Sequence, residues 1–214
     1  MIAALVPVKR LEAAKSRLRP GLAPEVLERL TLAMLEDVLD AALAVAGWDT
    51  WVISPDEVVL EIAARRGARP VPETRSPLSA AVRQVETMAR EEDATALAVV
   101  PGDLPLVTAE VLAKALRTLG SVVVAPSNGG AGTSLLLRRP PRAIPARFGP
   151  DSFRRHLELA NERQLPFAVV QDPELSFDLD VPGDILTLLE SGRRGRTWEV
   201  CVEMDLAERV HVNA

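Results

Sequence analysis

Short runs of Val, Ile and Leu alternate along this chain with longer stretches of helical periodicity. That alternation admits few folds and predicts a mainly parallel sheet covered by helices. The first apolar run is Ile2 to Val8. From Pro24, placed where proline suits a helix start, Leu27, Leu30, Met34, Val38, Ala42 and Val45 form a stripe at steps of three and four until Gly47 ends it. Trp51 to Ser54 reads as a second strand, Pro55 to Arg66 as a helix closed by Gly67, Arg69 to Val71 as a third strand and Ser76 to Glu92 as a helix. Ala96 to Val100, apolar on both faces, reads as a central strand and runs straight into Pro101-Gly102-Asp103-Leu104-Pro105-Leu106. Further along, helices are predicted over 108–119, 152–163 and 181–190, and strands over 121–125, 134–137 and 167–170. A Gly-rich turn covers 127–132 and a loop rich in Pro and Arg covers 140–150. The reading is one Rossmann-like α/β domain over 1–191, with helices on both faces of the sheet. Residues 192–214 are set apart as a tail. There Arg193, Arg194 and Arg196 form a basic hinge, and Trp198-Glu199-Val200-Cys201-Val202 alternates like an edge strand able to pair with a second subunit, which makes a homodimer an expectation.

Composition narrows the function classes. With 48% hydrophobic and 26% charged residues, the 214-residue chain has enough apolar material for a substantial core. A formal net charge of -5 argues against a general affinity for nucleic acid, whose phosphates call for clustered Lys and Arg. The single cysteine, Cys201, excludes an internal disulfide and reads as a small hydrophobe in the tail strand; with only His156 and His211 beside it, no zinc-binding spacing exists. The apolar N-terminus has no basic region before it and meets Lys9-Arg10 too soon for a signal peptide. No uncharged run approaches the roughly 20 residues that cross a bilayer. The expectation is a cytoplasmic protein with no membrane partner.

In open parallel sheets, ligands sit at the carboxyl ends of the strands, so charged residues just after a strand take priority. Three places qualify. The loop from Val8-Lys9 through Lys15-Ser16-Arg17 follows the first strand; its cations suit a triphosphate and a departing pyrophosphate, although it would also serve as a solvated basic turn. It lacks the glycine spacing of a P-loop. Asp103 is the only acid in an apolar segment at a central strand end, where magnesium would be a natural partner. Its competing role, capping the next helix, is better filled by Thr108. In Asp178-Leu179-Asp180, alternation puts both carboxylates on one face about 7 Å apart, where they could join Asp103 around one or two metal ions. Alternatively, one of the pair caps the last helix. His156 follows Arg154-Arg155 on a predicted helix and reads as a surface or core histidine.

Several segments occur together and in order: Pro7-Val8-Lys9, Ala14-Lys15-Ser16-Arg17-Leu18, Gly102-Asp103-Leu104-Pro105-Leu106, Gly129-Gly130-Ala131-Gly132-Thr133, Phe148-Gly149-Pro150-Asp151-Ser152-Phe153 and Asp178-Leu179-Asp180-Val181-Pro182. Across residues 2 to 190 the chain resembles the guanylyltransferases that activate 2-phospho-L-lactate or phosphoenolpyruvate in the synthesis of coenzyme F-420. The resemblance implies a nucleotide-diphosphosugar-transferase-like fold with a mixed sheet, GTP as donor and Mg2+ as cofactor. It makes Asp103 a metal ligand, with Asp178 or Asp180 as the second carboxylate, and puts Lys9, Lys15 and Arg17 on the triphosphate. Val8, Ser16 and Ser79 fall in the nucleotide-binding segments, and Thr133, Gly149 and Ser152 match positions that hold the phosphorylated acid. Lys15 and Asp103 are the residues it points to as catalytic. The chain departs from the usual pattern at Asn128, where relatives carry an acid, at Ser134, where they carry Asn, and at Ser79, where they often place Asn. Two other readings remain: a molybdopterin or sugar nucleotidyltransferase, which would normally show Ala-Gly-Gly-x-Ser after strand one, and a silent nucleotide-binding module.

Overall fold

A computed structural model describes residues 1–212. The first strand, β1 (Ile2–Pro7), leads through a 3-10 turn at Leu11–Ala13 into the long helix α1 (Pro24–Leu43). Next come β2 (Asp49–Ser54), α2 (Glu57–Arg66), β3 (Arg69–Pro72), α3 (Leu78–Glu91) and β4 (Ala96–Val99). After β4 the chain forms α4 (Ala109–Arg117), β5 (Val122–Pro126), β6 (Thr133–Arg138), α5 (Ser152–Glu162) and β7 (Phe167–Val169). The described residues close with the helices α6 (Pro173–Ser176), α7 (Pro182–Glu190), α8 (Arg196–Glu203) and α9 (Leu206–Val212).

The strands form a seven-stranded sheet in the order β3-β2-β1-β4-β6-β5-β7. All pairings are parallel except those of β6, which runs antiparallel to both β4 and β5. That reversal follows from the Gly-rich turn after Pro126, which is short enough only for a hairpin. Alternation along the strands splits the apolar residues between two faces. Val6, Val52 and Ala98 pack beneath α1, α2 and α4, whereas Leu5, Trp51, Leu97 and Val99 pack against α3 and α5. The helices therefore cover both faces, as expected for strands buried on each side.

The tail departs from its sequence reading. Trp198 to Val202 is not an edge strand; it lies in α8, and Thr197, Val200 and Cys201 are buried on one face of that helix. The cause is a long-range cap. Both carboxylate oxygens of Asp37 accept backbone N–H groups at the α8 start, from Arg196 at 2.8 Å and Thr197 at 2.9 Å, and Oδ2 also takes the Thr197 hydroxyl. Val200, Cys201 and Leu206 complete a third apolar cluster with Leu30, Met34, Ile185 and Leu188. Cys201 is thus a helix residue, and burial pushes its thiol up to about 12. The tail belongs to the domain's core, and the strand that motivated pairing with a second subunit does not form. No helix among the described residues is long and apolar enough to cross a membrane.

Candidate active site

The carboxyl ends of β1 and β4 and the β5–β6 turn surround a cleft of about 400 Å³. Its floor depends on Gly102. A Cβ at that position would stand 3.1 Å from Val8 Cγ2 and 3.4 Å from Val6 Cγ1, so the segment after β4 lies so close to β1 that a larger residue would have to push these valines aside by a few tenths of an ångström. Beyond β1 the loop is pinned by Leu18, which is buried in the third cluster, and by the Leu11 N–H, which donates to Asp56 Oδ2. Between these anchors Lys15 takes a left-handed backbone with φ of 49°. That turn sends a side chain from an otherwise exposed loop inward.

Lys15 is the centre of the charged wall. Its Nζ lies 2.8 Å from Asp103 Oδ2 and 2.8 Å from Asp180 Oδ1, with only 5% of the side chain exposed. Burial alone would lower the Lys15 pKa, but the adjacent Asp103 and Asp180 charges outweigh it and the net shift is upward. For Asp180 burial works upward, and the cations Lys15, Arg17 and Lys9 pull its carboxyl below the usual range. Asp178 has no such partner. Burial, then the charges of Asp103 and Asp180, pushes it up to about 6, even though its Oδ1 accepts the Asn128 N–H at 3.1 Å. Asp180 is free to meet Lys15 because Asp184 caps α7 instead, accepting from the N–H groups of Asp180 and Val181 at 2.7 Å each. Thr108 likewise caps α4 by accepting from Val111 N–H, leaving Asp103 to the cleft. Among the described residues, no group of three or more His, Cys, Asp or Glu side chains is arranged to hold a metal ion. Asp103 and Asp180 share an ammonium instead.

The opposite wall is neutral. Thr133 starts β6 and Ser152 opens α5, and their hydroxyl oxygens are 3.0 Å apart. Thr133 Oγ1 also lies 3.1 Å from His156 Nδ1, while His156 Nε2 accepts the Arg147 N–H at 2.9 Å. Ser152 does not cap its helix; Asp151 holds that position in a left-handed conformation without a side-chain hydrogen bond. Gly149, with φ of 121°, turns the chain into α5 along the cleft rim.

Most of the residues singled out in the sequence meet here. Val8, Lys9, Lys15, Ser16, Arg17, Asp103, Thr133, Gly149, Ser152, Asp178 and Asp180 all line the cleft. Ser79 does not: it is half-buried at the start of α3, next to Leu78, which does. His156 is a core histidine, one of the two readings the sequence allowed, and it lies behind the cleft rather than among its lining residues. Four positions after Ser152 on α5, it shares that residue's face of the helix.

A parallel sheet with one reversed strand, carrying an acidic strand end and a basic loop around one cleft, defines a nucleotidyltransferase-like α/β protein. At the level of fold, the chain superposes with a TM-score of 0.83 and 18% identity on a candidate nucleotide-diphospho-sugar transferase from Desulfovibrio desulfuricans, over 100% of this chain and 99% of the other. A nucleotidyl transferase from Methanothermobacter thermautotrophicus gives 0.66 at 20% identity, over 89% and 97%. The chain belongs to the family described as guanylyl transferase CofC like, whose model matches residues 2–208. It is 41% identical over 192 residues to a phosphoenolpyruvate guanylyltransferase of Rubrobacter xylanophilus, covering 88% of this chain and 94% of that one. A 2-phospho-L-lactate guanylyltransferase of Methanothermobacter thermautotrophicus is 36% identical, with 88% and 84% covered.

Proposed function

We propose that this protein transfers GMP from GTP to a phosphorylated three-carbon acid, phosphoenolpyruvate or 2-phospho-L-lactate, releasing pyrophosphate in coenzyme F-420 synthesis. Family membership supports the reaction class, and relatives named for each of the two acids support the substrate pair. The observation that carries the reading is the pairing of the Lys15, Asp103 and Asp180 cluster with a wall of hydroxyls across one cleft. One wall suits a triphosphate and the other a small anion.

Magnesium fits this donor set. It prefers hard oxygens, and in phosphate chemistry it is commonly held by one or two carboxylates with phosphates completing the shell. Asp103, with Asp178 or Asp180, would hold it. When bound, it would polarise phosphate oxygens and offset charge in the transition state. The remaining work falls to the chain. Lys9 and Arg17 face the cleft from the loop after β1 and neutralise the triphosphate and the departing pyrophosphate. The Lys15 ammonium has three protons; two bind Asp103 and Asp180, and the third is available to a phosphate oxygen. Thr133, Ser152 and the backbone at Gly149 hold the acid, so that its phosphate oxygen lies in line with the α-phosphorus. No protein nucleophile is needed, because that phosphate is ionised at neutral pH.

The test is pyrophosphate release with magnesium, comparing GTP with ATP and CTP, and phosphoenolpyruvate and 2-phospho-L-lactate with 3-phosphoglycerate. Release that requires GTP and one of the first two acids is the expected outcome. GTP binding without release with any acid would instead identify a silent nucleotide-binding module.

A further inference from the structure

His156 is wholly buried, yet it belongs to no catalytic step. Its surroundings fix its chemistry. A backbone N–H can only donate, so the Arg147 N–H at 2.9 Å requires a bare lone pair on His156 Nε2. The ring proton of a neutral imidazole must then sit on Nδ1, which donates to Thr133 Oγ1 at 3.1 Å. Burial, followed by the charge of Arg138, lowers the His156 pKa to about 4, so the ring stays neutral at physiological pH. Phe148 packs edge-on against it at 5.5 Å between ring centres. With one lone pair of Thr133 taken, the Thr133 and Ser152 hydroxyls have two protons for the single bond between them. Whichever donates to the other, one hydroxyl proton is left over, and both groups line the cleft.

The geometry points to His156 as a positioning residue that sets the direction of a hydrogen-bond chain, so that the Thr133 and Ser152 pair presents a hydroxyl proton to an anionic oxygen of the acid substrate. The chain runs from Arg147 N–H through the imidazole to Thr133 and Ser152. It thereby ties the 140–151 loop, α5 and β6 into one wall. An imidazole flipped to carry its proton on Nε2 would face the Arg147 N–H donor to donor and leave Thr133 opposite a lone pair. The spare proton would then be drawn back into the protein. The inference rests on the proposed guanylyl transfer for the identity of the acceptor, but not for the direction of the chain.

Two substitutions separate the two ring nitrogens. In His156→Asn the amide NH2 falls near the place of Nδ1 and keeps a donor for Thr133; in His156→Gln the amide oxygen reaches the place of Nε2 and keeps the Arg147 bond. We expect His156→Gln to raise KM for the acid roughly 10-fold, the size of one misdirected hydrogen bond, with KM for GTP within about twofold. His156→Asn should stay within about threefold of the native KM for the acid. Equal losses for acid and GTP in both variants, or an unchanged acid KM in His156→Gln, would overturn the assignment. The native protein gives an independent readout, since it has only two histidines. Imidazole nitrogen NMR at neutral pH should show the buried ring protonated on Nδ1 alone, and a proton on Nε2 would refute the chain's direction. If the spectrum shows Nδ1–H but no acid supports pyrophosphate release, it is guanylyl transfer that fails, and with it the acid as acceptor.

Discussion

The two walls of the cleft hold their polar groups in opposite ways. In the charged wall the carboxylates of Asp103, Asp178 and Asp180 are partly open to water around a buried Lys15, with one ammonium serving two carboxylates and a third carboxylate left without a cation. The wall of Thr133, Ser152 and His156 is buried, uncharged and directionally bonded. Electrostatic walls respond to whatever ions enter, and neutral hydrogen-bond networks fix geometry before anything enters. Damage to the first should therefore appear in turnover, and damage to the second in recognition.

The largest effect should come from Asp103→Ala. It removes a carboxylate that no neighbouring acid on β4 can replace, and turnover should fall about 1000-fold or more, on the scale of several kcal/mol of lost charge stabilisation. Circular dichroism should show the fold unchanged, because Asp103 caps no helix. Retained turnover would break the comparison at its centre. Lys15→Met comes next. Losing one preorganised donor to a developing anion costs about 100-fold in kcat, and two carboxylates would be left facing each other. Raising magnesium should recover part of that loss if the cation and Lys15 neutralise the same acids, and no recovery would show that Lys15 acts on the phosphates alone.

Ser152→Ala addresses the neutral wall and should raise KM for the acid roughly 10-fold with kcat within about threefold, as expected for one hydrogen bond to an anion. A kcat loss comparable to that of Lys15→Met would mean that the two walls are not functionally distinct.

Much of the charged wall is legible in the sequence because its residues lie in the segments that leave β1 and β4 or in a short acidic repeat. Asp103 stands out at the end of a wholly apolar strand, and the spacing of Asp178 and Asp180 in an extended segment puts them together. What the sequence leaves out is which cation meets which acid. Lys15 reaches Asp103 across 88 positions and Asp180 across 165. No local pattern encodes such pairings. The neutral wall is harder to read still, since His156 depends on a backbone N–H of a loop that has no periodicity. The tail misleads for a related reason. Trp198 to Val202 alternates as a strand does, but Thr197, Val200 and Cys201 also satisfy helical spacing, and a cap from Asp37, some 160 positions away, decides between them. The correct pattern was present in the same letters, without the partner that selects it.

The smallest expected effect separates the walls by pH. Asp178 has a folded pKa of about 6 against an ordinary 3.8, so the folded protein holds a proton that the unfolded chain releases. Its contribution to stability is complete below about pH 4 and is lost as pH rises through 6. Asp178→Asn removes that penalty while keeping an oxygen for the Asn128 N–H. After allowance for solvent screening of a half-exposed group, the gain at pH 8 should be about 1 kcal/mol, or about 2–4 °C in Tm for a domain of this size. At pH 5, midway between the two pKa values, about half of that gain should remain, because the unfolded carboxyl is already ionised; only below about pH 4 should it vanish. His156 has the opposite sign. Its folded pKa of about 4 lies below the ordinary 6.5, so its contribution is complete above pH 6.5 and is lost as pH falls towards 4. Thermal melts of native and Asp178→Asn proteins should therefore nearly coincide at pH 4, diverge between pH 4 and 6, and stay apart by a constant amount above that. A constant offset at every pH would show that Asp178 gains from shape rather than charge, and that the charged wall is as settled without ligand as the neutral one.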